Sequence, residues 1–225
     1  MSLNWSISEL LESRTLLSSA GVSQGVLHIV GDVNSANTIT VRRTSDTEIT
    51  VSMSGKSNQV FGHCDTITKV VIDGGDKADR LAIDESARAL RVPLEINGLG
   101  GNDTIIGSAG DDTLNGQGGN DSIVGNAGND RIFGREGSDK LFGGDGNDMI
   151  KGGGGHDILD GGAGNDSLWG NKGADSVSGD DGNDVMFGGP SGDTMMGGNG
   201  DDIFHGGDPR DQMDGGAGNN VFLRK

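Results

Sequence analysis

Gly161-Gly162-Ala163-Gly164-Asn165-Asp166-Ser167-Leu168-Trp169 decides the architecture of this chain. The same arrangement recurs every nine residues from Gly98 to Leu223, with no insertion or deletion. The first place of all fourteen units is glycine. The fourth is glycine in twelve, the exceptions being Ser191 and Pro209. The sixth is Asp103, Asp112, Asp121, Asp130, Asp139, Asp148, Asp157, Asp166, Asp175, Asp184, Asp193, Asp202 and Asp211, and only Asn220 breaks the run. The eighth is always large and apolar, from Ile105 and Leu114 to Met213 and Phe222.

Each place has a physical reading. Glycines permit positive φ and close backbone approach, so the first six places predict a tight turn. The last three put an apolar residue between two mostly polar ones, which predicts a minimal strand with one inward side chain. Two units make a coil of eighteen residues, and stacked coils make two short parallel sheets facing across a thin core. The aspartates then form two ladders, one along each edge. Asp103, Asp121, Asp139, Asp157, Asp175, Asp193 and Asp211 stand in one; Asp112, Asp130, Asp148, Asp166, Asp184 and Asp202 stand in the other. Carboxylates stacked at strand spacing, about 4.8 Å, repel one another, and a cation between consecutive rungs removes the repulsion. Carboxylate and carbonyl oxygens without thiols or regular imidazoles select a hard cation, and flexible high coordination favours Ca²⁺ over Mg²⁺. The ladders offer about a dozen gaps at most. Asp is also a turn former, but a mere turn former alternates with Ser or Asn, and here Asp holds thirteen of fourteen places.

Residues 98–223 therefore resemble the RTX, or hemolysin-type, calcium-binding nonapeptide family, whose pattern G-G-x-G-x-D-x-U-x the unit Gly161–Trp169 fits at every place. The resemblance implies a calcium-binding parallel β-roll and an extracellular or bacterial cell-surface setting. Departures are modest. Ser108, Asn126 and Arg135 replace the second glycine, Pro190-Ser191 and Asp208-Pro209 disturb two loops, and Asn220 marks the last unit as an end cap.

Outside the roll the composition changes. Of 44 glycines in 225 residues, only 7 precede Gly98; residues 1–97 carry a net charge of −3 and residues 98–225 carry −14. The formal charge of −17 speaks against nucleic acid as a partner, which recruits Lys and Arg. No stretch reaches the 18 or so apolar residues of a membrane-spanning helix. A single cysteine, Cys64, forms no internal disulfide. Residues 1–24 read as an N-terminal segment, helical or disordered. Within it Leu11-Glu12-Ser13-Arg14-Thr15-Leu16-Leu17 resembles the LEPR-XLL segment of large bacterial surface and exported proteins, with Ser13 in place of Pro. Residues 25–97 read as β, in the runs Val26–Val30, Thr38–Val41, Glu48–Val51, Ile67–Ile72, Arg80–Ile83 and Leu94–Ile96. They make either wider solenoid coils or a small antiparallel unit capping the roll. Asp73–Leu81 is a worn copy of the repeat, with Lys77 at the fourth place and Asp79 out of register with Asp103. The expected fold class is all-β: a parallel β-roll over 98–223 behind a β-rich cap.

No HExxH, GxSxG or Walker loop is present. His28, His63, His156 and His205 are isolated, and the paired acids Asp111-Asp112 and Asp201-Asp202 fall inside the repeat loops. The expectation is a non-catalytic, calcium-dependent structural or interaction module. A rival is an accessory region of a larger secreted toxin, lipase or protease; the chain stops almost where the repeats stop, which argues against a secretion tail. Ice binding is rejected, because no Thr occupies the third place of any unit. The ninth places of one sheet should stack Phe133, Lys151, Trp169, Phe187, His205 and Leu223 outward. This row is either a stripe that pairs two copies or holds a surface partner, or ordinary cross-strand stacking. With one core side chain per nine residues and so much charge, folding of residues 98–223 should depend on calcium.

Overall fold

The structure, a computed structural model, describes residues 19–45, 48–55, 58–62, 66–85, 90 and 92–223. The LEPR-XLL-like segment, His63 and Cys64 lie outside the described residues. Among the described residues, seven strands precede the roll: β1 (Ser19–Ser23), β2 (Val26–Val30), β3 (Thr38–Arg43), β4 (Glu48–Met53), β5 (Gln59–Gly62), β6 (Lys69–Gly75) and β7 (Arg80–Asp84). From β8 (Leu94–Gly100) and β9 (Thr104–Ile106) onward each nine-residue unit adds one strand, ending with β21 (Gln212–Asp214) and β22 (Val221–Leu223). Two eleven-stranded sheets result. One runs β1-β2-β6-β8 and then takes every second strand to β22; the other runs β5-β4-β3-β7-β9 and on to β21.

Within the roll every pairing is parallel at an offset of eighteen residues, so that Leu114 lies beside Ile132 and Ile132 beside Ile150. This puts the eighth-place side chains in two facing rows. All are buried from Ile105 to Phe204, whereas Phe222 at the last coil is 44% exposed.

The strands are longer than the sequence pattern predicts. In β12 (Arg131–Glu136) pairing continues past the ninth place through the first three places of the next unit. Only places four to six remain as turn. Backbone-to-backbone bonds need no particular side chain, so a glycine-rich segment that reads as turn still extends the ladder.

The two sheets do not begin at Gly98. Sheets run unbroken across that boundary, with Val70 and Ile72 of β6 paired to Leu94 and Ile96 of β8. Both expectations for residues 25–97 have a place: β2 and β3 pair in parallel with β6 and β7, as solenoid coils do. β1 and β4–β5 add antiparallel pairs at the two free edges. Ser19–Ser23 is strand, in a stretch expected to be helical or disordered. It pairs back on β2 across Gln24-Gly25, which have φ of 51° and 79°, the two positive values that a tight hairpin turn needs.

Candidate metal centre

Every loop of the roll is built around its sixth-place aspartate. Each of these side chains is buried, at 5% exposure or less. One carboxylate oxygen has a backbone partner. The N–H of Asp103 donates to Oδ1 of Asp121 at 2.8 Å, that of Asp121 to Asp139 at 2.8 Å and that of Asp139 to Asp157 at 2.9 Å. The other edge repeats this from Asp112 to Asp130 to Asp148 to Asp166. Thus the two ladders read from the sequence form, and all thirteen aspartates stand in them.

The second oxygen is different. Oδ2 is buried without a hydrogen-bond partner in Asp79, Asp103, Asp121, Asp130, Asp139, Asp148, Asp157, Asp166, Asp175, Asp184, Asp193 and Asp202. It is also crowded by another acceptor. A Cβ placed on Gly98 would overlap Asp103 Oδ2 and lie 2.8 Å from the Gly116 carbonyl oxygen of the next coil. Gly143 repeats the convergence with Asp148 and Gly161, and Gly170 with Asp175 and Gly188. The first-place glycine is therefore required by the close approach of two oxygens. The fourth-place glycine has a separate reason: Gly119 has φ of 121°, and a side chain there would overlap the Gly101 carbonyl.

Burial is the chief cause of a large rise in the carboxyl pKa values, and neighbouring carboxylates add to it in part of the ladder. Asp103, Asp130, Asp139 and Asp166 are pushed up to about 7, and Asp184 and Asp193 to about 6. Asp79, Asp121, Asp148, Asp157, Asp175 and Asp202 move in the same direction. The donated backbone N–H opposes the rise in each. Such a row lacks positive charge where it lacks donors. A hard cation held by Oδ2 and backbone carbonyls would supply the positive charge and satisfy the bare oxygens, and the all-oxygen set fits Ca²⁺. Among the described residues no three His, Cys, Asp or Glu side chains converge on one point. Each rung contributes a single carboxylate, so the remaining ligands in a gap would come from other oxygens, of which the first-place carbonyls lie nearest to hand.

Three features were not read from the sequence. First, Asp79 belongs to the ladder: its N–H donates to Asp103 Oδ1 at 2.8 Å, although the two are twenty-four residues apart. The extra residues lie between β7 and β8, after Asp79, and leave its loop in place. A spacing rule of eighteen hides this because it counts residues along the chain and not along the stack. Second, the fifth places form an outer ladder of opposite direction. Asn120 N–H donates back to Asn102 Oδ1, Ser138 to Asn120, and Asn183 to Asn165. His156 takes part in it, with Nδ1 accepting from the Ala174 N–H at 3.0 Å. The signal was the recurrence of Asn at that place. Third, the ladder ends carry their own donors. Asn37 heads the Asp79 ladder, with its N–H 2.6 Å and its Nδ2 3.0 Å from Asp79 Oδ1. At the foot of that ladder, Asp211 Oδ2 accepts from the Asp208 N–H at 2.9 Å. On the other edge, Asp112 Oδ2 accepts from Ser108 N–H and Oγ. Asn220 closes that edge, donating Nδ2 to the Gly215 carbonyl at 2.8 Å while Oδ1 receives the Asp202 N–H.

These features define a calcium-binding β-roll. Residues 95–123, 116–150, 124–159, 151–186 and 187–222 match the RTX calcium-binding nonapeptide repeat, together more than half of the chain. The chain belongs to that family. No curated protein matches it.

Proposed function

We propose that this chain is a calcium-loaded structural or interaction module, extracellular or on the bacterial cell surface, with no catalysis of its own. The observation that carries the reading is the set of twelve buried, donorless Oδ2 atoms. Their desolvation opposes the metal-free fold, and calcium relieves it, so calcium acts as the folding switch for residues 98–223. The extracellular assignment rests on the family, and repeated all-oxygen sites of this kind suit millimolar external calcium. Among the described residues no helix is long and apolar enough to cross a membrane.

The test is a calcium titration followed by circular dichroism and hydrodynamic radius. The expected result is cooperative gain of β signal with compaction. A chelator-treated sample that keeps its full β signal and compact radius defeats the proposal. The rival reading, an accessory region of a larger secreted toxin or enzyme, shares the calcium switch and is separated by the length of the native gene product.

The outward row forms as expected, with Trp169 stacked on Phe187 at 5.5 Å, Phe187 on His205 at 4.3 Å, and Lys151 over Trp169 at 4.9 Å. We assign it to pairing of two copies. Sedimentation of the calcium-bound protein tests this: a dimer that Trp169→Ser returns to monomer supports it, and a wild-type monomer at high concentration removes it.

A further inference from the structure

We infer that the loop Gly74–Asp79, which lies outside the nonapeptide repeats, forms a further calcium site with the loop Gly98–Asp103. The inference rests on the calcium reading of the ladders and extends it to a loop that departs from the pattern. The family match begins at residue 95, and Lys77 stands at the fourth place where a repeat has glycine.

The geometry is nevertheless that of an interior rung. Asp79 is 4% exposed. Its Oδ1 accepts from Asn37 and its N–H donates to Asp103 Oδ1. Its Oδ2 is buried and has no partner at full hydrogen-bond geometry; the Gly75 N–H approaches the carboxyl and lowers its pKa in part, against the larger effect of burial. A Cβ on Gly74 would lie 2.5 Å from Asp79 Oδ2 and 2.6 Å from the Gly98 carbonyl oxygen, the same convergence found at Gly98, Gly143 and Gly170. Lys77 does not spoil the loop, because its side chain is exposed and only its main chain enters the stack. A Cβ on Gly101 would meet the Lys77 carbonyl carbon and oxygen, just as one on Gly119 would meet the Gly101 carbonyl.

Contrast with the ladder ends locates the limit of the series. The terminal aspartates Asp112 and Asp211 have Oδ2 served by the Ser108 and Asp208 N–H groups, and the terminal amides Asn37 and Asn220 donate Nδ2 to the carbonyls of Asp32 and Gly215. Asp79 Oδ2 has no donor at that geometry. The chain therefore treats Asp79 as an interior rung and Asn37 as the end, one coil beyond the repeat.

Native mass spectrometry of the calcium-saturated full chain, which counts bound ions singly, tests this with Asp79→Asn and, as a reference, Asp157→Asn. Asparagine is the replacement that the chain itself uses at Asn37 and Asn220. The expected result is at least one ion fewer in each variant. A wild-type count in Asp79→Asn beside a reduced count in Asp157→Asn overturns the Asp79 site and leaves the ladders standing. A wild-type count in both overturns the calcium reading and this inference with it. A second measurement needs no variant. Anomalous density from a calcium-soaked crystal of the wild-type protein should show an ion bonded to Asp79, and its absence while interior gaps are filled overturns the inference.

Discussion

A buried carboxylate with one satisfied oxygen and one bare oxygen has three ways to become stable: a proton, a cation, or replacement by an amide. The chain uses the third at Asn220, and this gives a sharp expectation for the interior. Asp157→Asn should raise the calcium midpoint several-fold while making the chelated protein no less folded, because the bare oxygen has become a donor. Parallel calcium and chelator denaturation curves check it, and a variant weaker in both conditions contradicts it. Asp112→Asn should leave the midpoint within about twofold, since Ser108 already serves that oxygen. The proton route sets a pH dependence. The folded carboxyls at about 6 to 7 lie above the unfolded value of about 3.9. Stabilisation from proton uptake is therefore complete below about pH 4 and lost as pH rises through about 6 to 7. In chelator, acidification from about pH 8 to 5 should increase the β signal; at limiting calcium the same change should release the ion. Loss of β signal on acidification in chelator contradicts the raised values. Backbone conformation gives another residue-scale test: Ser191 has φ of 107° at a place that glycine holds in twelve of the fourteen units. Ser191→Gly should stabilise the calcium-bound form by about 1 kcal/mol, read as a higher melting temperature.

Strands and loops show which parts of the pattern were legible and why. Eighth-place apolar residues and sixth-place aspartates announce themselves because a side chain does the work, so the core rows from Ile105 to Phe204 and both ladders follow from spacing alone. Features made by the main chain do not announce themselves. The extension of β12 through Gly134–Glu136 rests on backbone bonds, and β1 forms from Ser-Ala-Gly-Val-Ser only because β2 lies across a two-residue turn. Asp79 was hidden by an insertion that spoils its spacing along the chain and not its position in the stack. The density of the core also differs between elements. β6 and β8 bury alternate side chains along their length, whereas β12 buries Ile132 and a glycine. Among the described residues, the coils before Gly98 thus hold more apolar surface per strand and a single buried carboxylate oxygen without a partner, that of Asp79. Hydrogen exchange in chelator should find protection retained over residues 26–84 and lost over 104–223; uniform loss contradicts the division.

At the scale of the whole molecule, coils touch only their neighbours, so calcium filling should be cooperative along the stack. The eighteen-residue offset that brings this order also carries a hazard. Successive coils are nearly interchangeable, so a chain that loops out one complete coil recovers almost every backbone bond and core contact in the shortened stack. Local energetics hardly distinguish the right number of coils from one too few. What breaks the degeneracy is the inequality of the ends. Asn37, Ser108, Asp208 and Asn220 each fit one terminal rung, and the neighbours in the outward row, such as Trp169 and Phe187, are not equivalent to the pairs a skip would create. The amides at the ladder ends are in this sense the molecule's means of counting: they let a repetitive polymer know its own length.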